Sequence, residues 1–168
     1  MKIDIQTAAS MIDRLIDCRI VRYRRICDMV CLYFTDEESK VASDDEKSEP
    51  YGLHIMCWVR VIDGNKIIAA SEEMYCSADA DSDDFQWDHE KSIFDEKMNQ
   101  FLESSRANTV CAASVNAIGD LIIYMKNECR IEIMAHRTNT EDEMWRFMAD
   151  EQEPHLIASI DGYDFSDE

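Results

Sequence analysis

The sequence predicts an α+β fold in which antiparallel β-sheet dominates and two main helices flank it. Three observations lead there. Apolar runs of strand length recur between turn signals, only two segments carry a helical apolar face, and the halves share one plan. "MIDRLIDCRIVRY…DMVCLYF" is echoed by "MNQFLESSRANTV…GDLIIYM", each a helix end, a strand, an aspartate-containing turn and an unbroken apolar strand. Two similar α-β-β-β units, over about residues 7–75 and 92–148, therefore join into one sheet or two facing sheets within one domain of 168 residues.

The first helix begins near Thr7, because "TAASMIDRLIDC" spaces Ala8, Met11, Ile12, Leu15 and Ile16 along one face. "CRIVRYRRICDMVCLYF" then divides into an arginine-rich strand, a turn at Cys27 and Asp28, and "MVCLYF", whose unbroken apolar character predicts burial on both faces. Residues 36–50, "DEESKVASDDEKSEP", have no periodic apolar face and read as a mobile acidic loop. "LHIMCWVRVIDGNKIIAAS" places two apolar runs around Asp63-Gly64, a hairpin signal because the turn residues must tolerate positive φ.

The second helix is the clearer one. In "SIFDEKMNQFLESS", Ser92 stands three positions before Asp95, and Ile93, Phe94, Met98, Phe101 and Leu102 share a face. A three-stranded meander follows in "NTVCAASVN", "LIIYM" and "CRIEIMA", where Cys129, Ile131 and Ile133 alternate with Arg130 and Glu132. In the tail, Trp145 and Phe147 of "EMWRFM" cover the core and "HLIASI" supplies one more strand, while Trp58 is read as core beside Trp145.

Composition narrows the function. A formal net charge of -19 repels phosphate backbones, whose binding relies on lysines and arginines that displace counterions, so nucleic acid is not the expected partner. Arg14, Arg19, Arg22, Arg24 and Arg25 are the exception, and the reading favoured here is that they balance neighbouring acids. No stretch approaches the ~20 apolar residues that span a bilayer, and aspartates interrupt "MKIDIQTAASMIDRL" where a signal peptide is apolar, so a cytoplasmic protein without membrane contact is expected. The seven cysteines are odd in number and lack a C-x-x-C, which fits free thiols in a reducing compartment.

The densest acidic stretch, "DADSDDFQWDHE", spaces Asp79, Asp81, Asp83 and Glu90 as the first, third, fifth and twelfth positions of a calcium loop. Its sixth position, where the chain must turn sharply and glycine is favoured, is Asp84, and a strand pattern rather than a helix precedes it. A calcium module is thus an alternative reading, and no metal is expected. Trp87 invites another, in which a large aromatic among Asp79, Asp81, Asp83, Asp84 and Asp88 anchors a partner inside a charged rim; the competing reading is that Trp87 only tucks the loop onto the core. No catalytic constellation emerges. His54, His89, His136 and His155 show no metal or catalytic spacing, and four glycines leave no P-loop or dinucleotide turn, so no enzyme and no cofactor are expected, with an unrecognised small-molecule enzyme as a further alternative.

The order of features also resembles a group of small bacterial proteins found among polymorphic-toxin immunity proteins, including those of contact-dependent growth inhibition. The matching pieces are Trp58 with Arg60 on a hairpin strand, Gly119-Asp120-Leu121 opening an apolar strand, and Glu143, Trp145 and Arg146 followed by His155 and Leu156, across about residues 53–162. In that group the hairpin tryptophan and arginine usually adjoin, whereas Val59 separates them here. The resemblance implies an immunity or inhibitor protein that neutralises a cognate basic toxin domain, such as a nuclease, through its acidic surface loops.

Overall fold

A computed structural model describes residues 1–36, 51–79, 84–104, 109–139, 142–149 and 152–166. Among the described residues, twelve strands form two antiparallel sheets beside two short helices. The chain runs β1 (Lys2–Ile3), α1 (Ile5–Ile12), β2 (Arg19–Ile26), β3 (Met29–Thr35), β4 (Tyr51–Ile55), β5 (Trp58–Asp63) and β6 (Lys66–Ala70). It continues through α2 (Ile93–Glu103), β7 (Val110–Val115), β8 (Leu121–Met125), β9 (Cys129–Met134), β10 (Glu143–Met148), β11 (His155–Ser159) and β12 (Gly162–Ser166). Residues 37–50, most of the stretch read as an acidic loop, lie outside the described residues.

Strand order shows how the halves interlock. The larger sheet is β1-β12-β11-β10-β4-β3-β2 and the smaller is β6-β5-β9-β8-β7. Each helix precedes a three-stranded meander, β2-β3-β4 or β7-β8-β9, and the next strand leaves for the other sheet, so β5 pairs with β9 and β10 with β4. The helices cross over too. Helix α1 packs on β7 and β12, whereas α2 packs on β2 and β6. The sheets meet at one corner, where Arg19 bridges Thr109 and the Val110 N–H donates to the Cys18 carbonyl at 2.8 Å.

The apolar run read as one hairpin arm, "LHIMCWVRVID", is in fact two strands. Its β4 part ends at Ile55 opposite Trp145, and Met56 and Cys57 carry the chain to the smaller sheet while the Met56 N–H donates to the Met144 carbonyl at 2.8 Å. Asp63-Gly64 makes the expected hairpin turn, with Gly64 at φ +56. Strands β1 and β12 carried no signal strong enough to predict them; they pair with each other at the sheet edge, where Lys2 lies opposite Asp164.

Both sheets bury one continuous cluster, with Trp145, Phe34, Phe94 and Phe147 its largest fully buried members. In β3, Val30, Leu32 and Phe34 enter that cluster and Cys31 is buried on the opposite face, as the unbroken apolar run requires. The Trp145 indole N–H donates to the Gly119 carbonyl at 2.7 Å, which satisfies the one polar atom a buried tryptophan brings. Gly119 itself holds φ +94, so a side chain would be strained there, while the Met144 methyl group that lies where a Cβ would sit is the movable end of its chain.

Helix α1 starts earlier than the apolar spacing suggests. The Asp4 carboxylate accepts the Thr7 N–H at 2.7 Å, which makes Asp4 the cap and puts Thr7 inside the first turn. Beyond Ile12 the chain tightens into a 3₁₀ turn, Asp13–Leu15, and Ile16 consequently swings out of the apolar face and is exposed. Among the described residues, no helix is long and apolar enough to cross a membrane. All seven cysteines are free, four of them buried.

Candidate functional site

The turn at 84–92 is built around an arginine. Arg25, from β2, has a side chain only 6% exposed and spreads its five donors beneath that turn. Nη1 donates to the carbonyls of Cys27 at 2.8 Å and Trp87 at 2.6 Å, and Nη2 donates to the Glu90 carbonyl at 2.9 Å and to Asp95 Oδ2 at 2.8 Å. Asp95 also accepts the Tyr23 hydroxyl at 2.7 Å and both the N–H and the hydroxyl of Ser92 at 2.8 Å. Burial alone would raise the Asp95 carboxyl, but the hydrogen bonds from Arg25, Tyr23 and Ser92 outweigh it and hold the group at about 2. The capping box read from Ser92 and Asp95 is thus the buried end of a larger ionic cluster.

This staple holds the turn that carries Trp87, one of several aromatic rings that gather at the surface. Trp87 stands edge-on to Tyr75 with centroids 5.0 Å apart, and Trp58 stacks flat on His136 at 4.7 Å. Trp58, Tyr75 and His136 border one cavity of about 80 Å³ together with Asp28 and Glu72. Exposed apolar residues scattered singly are ordinary, but Trp58, Tyr75 and Trp87, exposed by 51%, 49% and 36%, adjoin one another through that cavity and ring contact. Their supports are rigid. Tyr75 ends a 3₁₀ turn, Ser71–Tyr75, whose buried Ser71 hydroxyl accepts the Val59 N–H at 3.0 Å and whose Glu73 pairs with Lys97 of α2 at 2.5 Å. Arg137, next to His136, donates through Nε and Nη2 to the Met56 carbonyl at 3.0 and 2.7 Å.

Of the residues singled out from sequence, Asp84, Trp87 and Asp88 sit exposed on the stapled turn, and Asp88 contacts the ring of His89 at 2.9 Å. The Trp87 carbonyl is tied to Arg25, and its ring, packed edge-on to Tyr75, remains 36% exposed. Asp79 and Glu90 border a second, open cavity of about 480 Å³ with Phe85, Lys91 and Glu96. Asp81 and Asp83 lie outside the described residues. The Glu90 carboxylate accepts the Gln86 N–H at 2.6 Å, so the described part of the turn is organised around a guanidinium and local amides. Among the described residues, no group of three or more His, Cys, Asp or Glu side chains is arranged to hold a metal.

Trp58 is a correction, being half exposed rather than core. The signal for it was in the strand period, because Trp58 is in phase with Arg60 and out of phase with the buried Val59 and Val61. Tyr75, His136, Asp28 and Glu72 were missed, as they come from three separate connections, Glu72 and Tyr75 sharing the Ser71–Tyr75 turn, that only the fold brings together. Of the arginines read as balancing neighbouring acids, Arg14 pairs with Glu153 at 2.5 Å and Arg25 with Asp95, whereas Arg22 lies over the Tyr33 ring.

Several residues that carry the resemblance hold the fold together. Gly119 receives the Trp145 indole, Asp120 accepts the Ala135 N–H at 2.8 Å, and Glu143 pairs with Arg146 at 2.5 Å. No family model, curated protein or solved structure matches the chain.

Proposed function

We propose that this chain is a non-catalytic binding protein that docks a basic partner domain through the exposed rings of Trp58, Tyr75 and Trp87 and the carboxylates beside them, as an immunity protein covers its cognate toxin. The observation that carries the reading is the rigid aromatic row with an acidic border. Large rings held in place lose little entropy on contact and supply most of the binding energy at protein interfaces, while surrounding charge selects the partner and speeds encounter. Asp28, Glu72, Asp84 and Asp88 are exposed beside these rings. With -19 on the whole chain, the long-range field favours a cationic partner. A toxin that grips phosphate backbones, such as a nuclease, presents such a surface. The sequence resemblance to immunity proteins points the same way, and cytoplasmic action on an incoming toxin belongs to this proposal.

The test is binding to the protein encoded by the reading frame immediately upstream, measured by surface plasmon resonance over a range of salt. Trp87→Ala and Trp58→Ala are each expected to weaken the complex by at least about 30-fold, or about 2 kcal/mol. Asp84→Asn with Asp88→Asn should lower the association rate and flatten its salt dependence, with little change in dissociation. Wild-type affinity in both tryptophan variants, or no complex with the upstream product, would reject the reading.

A further inference from the structure

We infer that the cavity between Trp58 and Tyr75 receives a cationic side chain, with arginine the best fit; this rests on the docking reading above and names the group on the partner that the site recognises. The cavity, of about 80 Å³, combines two aromatic walls with the carboxylates of Asp28 and Glu72. That pairing of negative ring faces with acids is the chemistry of an ammonium or guanidinium receptor. His136 covers one face of the Trp58 indole, lying within 6° of parallel, and with 51% of Trp58 still exposed the rest of the ring remains for a guest. A planar guanidinium can stack there and turn its edge donors to a carboxylate, which a compact ammonium cannot do.

Arg137 also borders the cavity and would oppose a second cation if its charge were unspent. Its Nη1 pairs with the Asp142 carboxylate at 3.3 Å, and its Nε and Nη2 donate to the Met56 carbonyl. Asp28 and Glu72, in contrast, pair with no cation among the described residues, since the nearby Lys97 goes to Glu73. The balance at the cavity is therefore negative. A purely apolar guest would leave those carboxylates facing it without compensation, a cost that selects against it.

The inference is tested by NMR titration of the intact chain with N-acetyl-arginine amide and with its neutral isostere, N-acetyl-citrulline amide, following the Trp58 indole N–H. The arginine compound should give saturable shifts at least threefold tighter than the citrulline compound. Glu72→Gln should weaken it at least threefold. Glu128→Gln, the same charge change at the opposite end of β9 from the Met134 that pairs with Trp58, should not. Equal binding of both compounds, or equal behaviour of the two glutamine variants, overturns the inference. Its failure is separable from that of the docking reading: Asp28→Asn and Glu72→Gln leaving partner affinity intact while Trp58→Ala weakens it removes the cation site and keeps the interface.

Discussion

The two helices begin with the same device in different surroundings. At α1, the Asp4 carboxylate accepts one N–H from Thr7 and stands in solvent. At α2, Ser92 and Asp95 form the reciprocal box, and the Asp95 carboxylate is also engaged by Arg25 and Tyr23 from a neighbouring strand. Each helix opens a meander in the interlocked topology, yet only the second helix start is wired across the fold. A helix cap is a local contribution until a buried cation shares its carboxylate; the cap then becomes the anchor for whatever else that cation holds. Here the cation holds the turn that carries Trp87.

The most forceful way to break this contrast is Asp95→Ala. It removes the partner of a guanidinium whose side chain is 6% exposed, and stranding a buried charge costs roughly 3–5 kcal/mol. Three carbonyls still accept from Arg25, so the lower end, about 3 kcal/mol, is expected in urea unfolding. Trp87 fluorescence should shift to the red before the global transition as its turn loosens. Arg25→Met combined with Asp95→Leu should recover part of the loss, because the desolvation of both charges disappears together. A loss below about 1 kcal/mol in Asp95→Ala would mean that the cluster organises nothing.

Acid separates the two caps without mutation. The Asp95 carboxyl is held at about 2 against an ordinary 3.8, so its contribution is fully present above the unfolded value and fades as pH falls from about 4 towards 2. A depression of that size corresponds to about 2 kcal/mol at neutral pH. Stability measured by denaturant from pH 6 to 2 should therefore fall along a limb that Asp95→Asn flattens. Asp4 is also lowered, by its bond to the Thr7 N–H, but in the open it adds little to that limb. An acid limb unchanged in Asp95→Asn would assign the pH dependence to other carboxylates.

How far the sequence reveals this depends on whether the signal is local. The Ser92–Asp95 box, the Asp63-Gly64 turn and the Cys129–Met134 alternation are each contained in a few neighbouring residues, and each appears in the fold where expected. The Arg25–Asp95 pair spans 70 positions, and neither member is distinctive among so many arginines and acids. The aromatic row is less visible still, because Trp58, Tyr75, Trp87 and His136 lie on different elements and meet only once β5 has crossed to the smaller sheet. Trp58 was within reach, as its phase with Arg60 outranked the habit of burying tryptophan.

Asp4→Ala completes the comparison from its weak end. The substitution frees the Thr7 N–H, but that group is exposed and water replaces the carboxylate at once. Helix α1 keeps Ala8 and Ile12 buried against β7 and β12, so its packing rather than its cap determines whether it forms. Thermal unfolding is accordingly expected to shift only slightly downward, and the change should be localised in faster amide hydrogen exchange at residues 5–8. A loss matching that of Asp95→Ala would show that the exposed cap is as deeply coupled as the buried one, and the distinction between the two helix starts would fall.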